Sequence, residues 1–567
     1  MDTGEINLQW GRAIVASLLA HNVRHAVLSP GSRSTPLAYA LIESHHIEAV
    51  PILDERSAGF FAVGMAKALG CPVAVLCTSG SAVANLFPAV VEARMGGVPL
   101  ILLTADRPPE LQDCHAGQTI DQKALFGKFA RMYVEVPLPA MESLPALGKL
   151  LNEAYQQSLC AAGPVHLNLP FREPLLPSVN DFPKLNETPP PADLPVQVGL
   201  QKQAKVPVVK CPHKRVLVVA GAGGPGLCPG WADDVLALAR ECRWPVLADP
   251  LSGLRNTLEA GREFVIAHYD SILRDDTAAE VLRPEAILQV GTLPTSKLLR
   301  RRLAQWDLPG WTVSPLGENF DPIHSGRARL EIFPSLLHKC FARREKAEAF
   351  YAQAWSRANM AAESHFEATF GTCGEPFEAK AAWLLNEHLP EETALHIASS
   401  MPIRDVEFFW KKNLKSRELF SNRGANGIDG TLSTALGIAQ VRGRSVLLTG
   451  DLAFLHDRNG LLVAGSSRYH GKLTVVLINN SGGGIFEHLP IAKQNPPFEE
   501  FFATPQDVDF QKLSACHRIP HHHPESWDAF VDLISEPVDT PLRIIELRTD
   551  RKRDTKLRQK ILQLPKP

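Results

Sequence analysis

Two segments of the chain place hard oxygen donors at comparable points. In "RSVLLTGDLAF" an apolar stretch, Ser445–Thr449, runs straight into Gly450 and Asp451. In "LTVVLINNSGGGIF" a second apolar stretch ends in Asn479 and Asn480. Both read as buried strands, and in parallel sheets ligands gather beyond the carboxyl ends of strands. The Asp451 carboxylate, the Asn480 amide oxygen and the nearby Gly482 carbonyl suit Mg²⁺, which keeps an octahedral oxygen shell and bridges to phosphate. Gly450 and the glycines at 482–484 allow close backbone approach to a ligand. The simpler alternative makes Asp451 a helix cap and the Asn-Gly run a turn. Either segment alone fits that alternative. The pair, at two strand ends, points to a metal–diphosphate site.

Cations recur at other apparent strand ends. Arg33 stands in "AVLSPGSRSTPLAYAL", Arg107 in "LLTADRPPEL", Arg404 in "HIASSMPIRDVEFF" and Arg423 in "LFSNRGANGIDG", with Lys297 in "VGTLPTSKLLRRRL". Arginine offers carboxylates a planar fork. The net charge is 59 − 61 = −2, so no global basic field argues for nucleic acid. Local cations without a basic chain imply an acidic small molecule. Glu55, in "VPILDERSAGFF", sits where a strand (Val50–Leu53) meets a helix, and taken alone is a helix-start acid. "VLVVAGAGGPG" matches G-x-G-x-x-G through Gly221, Gly223 and Gly226, and the next strand ends in Asp249. Pro225 makes that turn unusual for a dinucleotide site. The cluster "CHRIPHHHPESW" lacks ligand spacing for zinc and reads as an exposed loop.

The 567 residues exceed one core and call for several domains. Apolar residues are 45% and charged residues 21%, ordinary for a globular enzyme. No apolar run is long enough for a membrane span, and the first residues lack a signal-peptide pattern. The ten cysteines form no C-x-x-C pair and read as reduced core thiols of a cytoplasmic protein. Short Val/Leu/Ile runs alternate with helical patterns, which predicts an α/β chain of three doubly wound, mostly parallel-sheet domains. The expected boundaries are a first domain at 1–185, a proline-rich linker at 186–212, a central Rossmann-like domain at 213–345, a helical connector at 346–375 and a third domain at 376–567. A helix over Arg458–Tyr469 is expected between the two donor-bearing strands. The tail "RTDRKRDTKLRQK" reads as a solvated end segment.

Taken together, "GDLAFLHDRNG…LINNSGGGIF" with Glu55 resembles the signature of thiamine-diphosphate-dependent enzymes. The likeness covers nearly the whole chain. "SPGSRSTPLA", "DERSAGFFAVGMAKA", "TSGSAVANLFPAVVEA", "LTADRPPEL" and "SNRGANGIDGTLSTALG" look like the branch that serves menaquinone and phylloquinone biosynthesis. The resemblance implies a pyrimidine-binding, a central and a diphosphate-binding domain. It also implies a homodimer or homotetramer with active sites between subunits. The cofactors it implies are thiamine diphosphate and Mg²⁺, or Mn²⁺ in its place. Asp451, Asn480 and Gly482 would hold the metal, beside Gly450. Glu55 would act on the aminopyrimidine. Ile428 would bend the cofactor, and Ile485 and Phe486 would flank it. The implied reaction decarboxylates 2-oxoglutarate and adds the succinyl-semialdehyde carbanion 1,4 to isochorismate. Ser32, Arg33, Arg107, Lys297, Ser400, Arg404 and Arg423 would contact these acids. Ser32, Arg33 and Gln118 would also take part in catalysis, Gln118 by proton transfer. Another thiamine-diphosphate carboligase or decarboxylase, such as an acetolactate synthase, is the alternative. Two departures stand out. A Lys-Arg pair of the branch is Lys297-Leu298 here, leaving a second cation absent or supplied by Arg300–Arg302. Its Asn-Gln pair is Gly117-Gln118.

Overall fold

The computed structural model describes residues 1–178, 206–223, 230–257, 260–344, 348–415, 417–494 and 496–565. Most of the expected linker and Gly226 of the glycine motif lie outside them. Three six-stranded sheets, parallel throughout, form the framework. The first takes its strands, numbered along the chain, in the order 2-1-3-4-6-5, from Glu48–Pro51 at one edge to Met132–Glu135 at the other. The third sheet, from Leu419–Phe420 to His521–His522, repeats that order. The middle sheet has the order 3-2-1-4-5-6, the doubly wound dinucleotide-fold arrangement. Central strands such as Val73–Cys77 and Ala286–Val290 are buried along their whole length, as strands covered by helices on both faces must be.

The chain divides into two compact units. One holds residues 1–201 with 423–443 and 457–471; the other holds the rest. In the first, the helix Glu55–Leu69 packs on the helix Thr431–Arg442 through glycines. A Cβ on Gly64 would lie 2.1 Å from the Thr434 carbonyl oxygen, and one on Gly437 2.0 Å from that of Phe61. In the second unit one apolar cluster takes in Leu217, Tyr269, Trp355, Phe409, Val476 and Ile545, residues of both the middle and the third sheet regions.

Four expectations change. No helix covers Arg458–Tyr469: a helix starts at Asp451 and ends at His456, and a 3₁₀ stretch, Arg458–Gly465, follows. The basic tail is not a solvated segment. It is a docked helix, Arg551–Ile561, with Asp554 and Arg558 fully buried. The histidine cluster is not an open loop either, because His521–His522 form an edge strand and His521 Nε2 meets Glu546 at 3.0 Å. Finally, Cys114 and Cys516 are exposed rather than core thiols. Gly221 has a packing reason independent of any nucleotide: a Cβ there would lie 1.4 Å from the Thr292 carbonyl oxygen. Asp249 caps a 3₁₀ turn by accepting from Leu251 N–H at 2.8 Å.

Candidate active site

The corner that holds Asp451 and Asn480 is built by two neighbouring strands of the third sheet. Arg444–Gly450 pairs with Lys472–Asn479 along its length, Gly450 opposite Ile478. Asp451 follows at once and is 4% exposed. Its Oδ1 accepts from Leu452 N–H at 2.7 Å and its Oδ2 from Gly482 N–H at 2.8 Å. Burial pushes its pKa up to about 6 even so, with the Glu378 charge adding a smaller push. Asn479 turns to Glu546, donating at 2.7 Å. Asn480 turns the other way, and its amide nitrogen donates to Glu378 Oε2 at 3.0 Å. Its amide oxygen is buried and has no hydrogen-bond partner. Such an orphan acceptor demands an explanation. Gly482 has φ +121°, and a Cβ there would lie 2.2 Å from the Ala503 carbonyl oxygen, so only glycine fits. Its own carbonyl accepts from Gly484 N–H at 2.9 Å and keeps one lone pair. Gly450 is different: a Cβ would meet nothing within 4 Å, so its smallness leaves open space rather than relieving a clash within the chain.

Among the described residues no cluster of three or more His, Cys, Asp or Glu could hold a metal. One buried carboxylate with an unpartnered amide oxygen and a backbone carbonyl is the donor set of an Mg²⁺ that also binds phosphate. The residues fit that group.

In the same unit a cavity of about 220 Å³ is lined by Lys297, Arg404 and Ile485 together with Arg274 and His488. Lys297 opens the helix Lys297–Trp306, whose N-cap Ser296 accepts from Leu299 N–H at 3.0 Å and donates to Asp270 at 2.5 Å. Arg404 donates to the carbonyl of Ser400. Ser400 has φ +76°, a strained value for serine costing of order 1–3 kcal/mol, of the kind that clusters at functional sites. Burial lowers the His488 pKa to about 4, so the ring is neutral. Two of the three arginines named for a second cation beside Lys297 serve other partners. Arg300 donates to the carbonyls of Pro294 and Leu293, and Arg302 to Leu273 and Asp276. Arg274 lines the same cavity as Lys297, braced by Asp270 at 2.7 Å and lying over the Phe408 ring. It stands in "SILRDD", at no strand end and beside no glycine. Only its i, i+4 spacing from Asp270 marked it.

Phe486 lies 5.9 Å from Phe502, ring to ring.

The first unit carries the remaining candidates. Glu55 begins the helix Glu55–Leu69, but Asp54 is the cap, accepting from Arg56 and Ser57 N–H at 2.9 and 3.2 Å. Glu55 is therefore not spent on capping. It accepts from Asn85 Nδ2 at 3.2 Å. Two residues of the 457–471 segment brace this helix start. The fully buried Asp457 accepts from Ser433 N–H at 2.6 Å and meets the Ser57 hydroxyl at 3.4 Å, and Asn459 donates to Asp54 at 2.7 Å.

Arg33 is 4% exposed and donates to the Phe171 carbonyl and to Glu173, each at 2.9 Å. Its Nε is buried without a partner. Burial, and next the nearby Arg107 charge, hold its pKa below the ordinary value. Two arginines thus converge. Arg107 donates from Nε and Nη2 to the Gly117 carbonyl at 3.3 and 3.2 Å. That contact uses backbone only, so the Gly117 departure leaves it intact. Gln118, at φ +58°, donates to the Ser79 carbonyl at 3.1 Å. The exposed Ser32 offers its carbonyl to Thr35 N–H at 3.0 Å. The loop that carries Arg423 is held by the buried Glu92, which accepts from Gly424 and Ala425 N–H at 3.0 and 2.7 Å. Ile428 is half-buried, its carbonyl accepting from the Thr431 hydroxyl at 2.8 Å.

The comparisons agree with this architecture. Three family descriptions match in succession: the N-terminal thiamine pyrophosphate-binding domain over residues 8–125, the middle domain of thiamine pyrophosphate enzymes over 199–397, and the C-terminal thiamine pyrophosphate-binding domain over 406–539. The chain belongs to the thiamine pyrophosphate enzyme family. Within that family it is similar to the 2-succinyl-5-enolpyruvyl-6-hydroxy-3-cyclohexene-1-carboxylate synthase of Trichormus variabilis, at 44% identity over 569 residues, 98% of this chain and 97% of the relative. The proteins of the same name from Gloeothece citriformis and Thermosynechococcus vestitus are 42% and 44% identical, each over 97% or more of both chains. Among the described residues no helix is long and apolar enough to cross a membrane.

Proposed function

We propose that this chain decarboxylates 2-oxoglutarate and adds the resulting four-carbon unit 1,4 to isochorismate, giving 2-succinyl-5-enolpyruvyl-6-hydroxy-3-cyclohexene-1-carboxylate. The observation that carries the substrate class is the convergence of Lys297, Arg404 and Arg274 on one cavity, in a chain whose net charge is only −2. Both substrates are dicarboxylic acids. Thiamine diphosphate, when bound, supplies the nucleophilic carbon and the electron sink for decarboxylation. Asp451, the Asn480 amide oxygen and the Gly482 carbonyl would hold Mg²⁺, or Mn²⁺, against its diphosphate, beside the open face of Gly450. Glu55 would hold and move a proton at the aminopyrimidine ring. Ile428, Ile485 and Phe486 supply apolar flanks that exclude water. Ser32, Arg33, Arg107, Arg423, Lys297, Ser400 and Arg404 bind and orient substrate carboxylates, and Gln118 relays a proton. The proposed assembly is a homodimer or homotetramer whose active sites are completed by a second subunit.

The experiment is direct: protein, thiamine diphosphate, Mg²⁺, 2-oxoglutarate and isochorismate, following isochorismate absorbance. Consumption that needs both acids supports the reading. Turnover of pyruvate with isochorismate untouched overturns it in favour of a simpler carboligase.

A charge-assisted hydrogen bond is worth about 1.5–3 kcal/mol. Lys297→Ala or Arg404→Ala is therefore expected to lower kcat/KM roughly 10- to 150-fold for one of the two acids. Steady-state kinetics with each acid varied in turn checks this. Arg300→Ala, whose guanidinium serves backbone carbonyls, should leave kcat/KM near wild type.

A further inference from the structure

Behind the corner that holds Asp451 and Asn480 lies a chain of buried polar groups. Asn480 donates its amide nitrogen to Glu378 Oε2 at 3.0 Å. Glu378 opens the helix Glu378–His388 and accepts on its other oxygen from Arg558. Arg558 grips Asp405 with Nε at 2.6 Å and Nη2 at 3.0 Å. None of the four side chains is more than 6% exposed. Stability does not account for such a chain, since apolar replacement of buried ion triads is often neutral or stabilising. What it controls is the group at its end. The Asn480 amide has one accepting and one donating edge, whereas Glu378 accepts on both oxygens, from Asn480 and from Arg558. Glu378 therefore selects the amide orientation in which nitrogen faces it, and that orientation leaves the oxygen buried and unpartnered. Arg558 fills the other Glu378 oxygen as a donor, so both oxygens act as acceptors.

We propose that Glu378, held by Arg558, is a positioning residue that presents the Asn480 amide oxygen to the divalent cation of the cofactor site. The inference rests on the metal role proposed for Asn480. A glutamine at 378 could donate as well as accept, so the selection would be lost with little change of volume.

The test reads metal affinity, not turnover. Mn²⁺ is titrated into full-length protein with saturating thiamine diphosphate, and free Mn²⁺ is followed by its paramagnetic signal. Glu378→Gln is expected to weaken Mn²⁺ binding about 10- to 100-fold, the usual cost of losing a partner that orients a ligand. The exchange variant Glu378→Gln with Asn480→Asp restores the hydrogen bond with its donor and acceptor swapped, and leaves an aspartate oxygen for the metal. It is expected to recover the affinity, which a merely structural role for Glu378 would not produce. It also decides the matter if the single variant fails to fold. Asn480→Ala separates the two layers. Weak binding in Asn480→Ala with wild-type binding in Glu378→Gln overturns the positioning role and keeps the metal site. Wild-type binding in Asn480→Ala overturns the metal role of Asn480 itself. A folded exchange variant that stays weak overturns the proposal.

Discussion

Glu55→Gln is expected to lower turnover by about 10²- to 10⁴-fold, the range for removing a proton-transfer group, while thiamine diphosphate binding largely survives. Glutamine keeps the shape of the side chain and can still pair with Asn85, which donates to Glu55 at 3.2 Å. It cannot take and return a proton. The rate loss corresponds to about 3–5 kcal/mol of transition-state stabilisation. Folding should register far less. The helix cap is Asp54, so the substitution removes only one acid from a first turn, about 0.3–1 kcal/mol at most. Cofactor titration, turnover and a melting curve on the same preparation separate these effects. Equal loss of binding and turnover would mean that Glu55 holds the cofactor rather than activating it.

The contrast between Asp54 and Glu55 shows where sequence reasoning stops. Two adjacent acids at a helix start look alike in "LDERSAG", and which one caps depends on backbone angles the letters do not specify. The parallel α/β framework was legible, because strands such as Val73–Cys77 and Arg444–Gly450 must be continuous apolar runs when helices cover both faces. The shared strand order of the first and third sheets was not, since crossovers are set by tertiary packing. The strand-end positions of Asp451 and Asn480 were legible for the same reason as the strands: each stands just past the end of an apolar run. Arg558 and Arg274 were hidden by the opposite circumstance. Arg551, Asp554, Thr555 and Arg558 do fall on one helical face, but the face is polar, and polar faces ordinarily meet water. This one is buried because Asp405 and Glu378, far away in the chain, receive Arg558. Arg274 likewise becomes meaningful only when folding brings Lys297 and Arg404 to the same cavity.

Asp451→Ala is expected to abolish Mg²⁺-dependent cofactor binding in practice. Loss of a residue that merely orients a ligand costs about 10- to 100-fold in metal affinity, and loss of a carboxylate ligand should exceed that. The stability of the cofactor-free protein carries an independent signature. The Asp451 carboxyl titrates near 6 in the folded chain against an ordinary 3.8. The folded state therefore binds this proton more tightly than the unfolded state. The associated stability is fully present below pH about 4 and is lost as pH rises through about 6, a change of about 3 kcal/mol. Other buried acids, among them Asp457 and Asp554, have pKa values raised by burial in the same range, so the informative quantity is the wild type minus variant difference. Asp451→Ala should flatten that part of the pH–stability curve while weakening the protein at low pH, because the N–H groups of Leu452 and Gly482 lose their acceptor. Mg²⁺ with thiamine diphosphate should raise the melting temperature of the wild type at neutral pH and leave that of the variant unchanged. Denaturant titrations of both proteins across pH 4–7, with and without the metal and cofactor, check each part. A variant that still gains stability from Mg²⁺ would move the metal away from Asp451. The carboxylate at the strand end would then be a buried acid whose cost serves some other purpose.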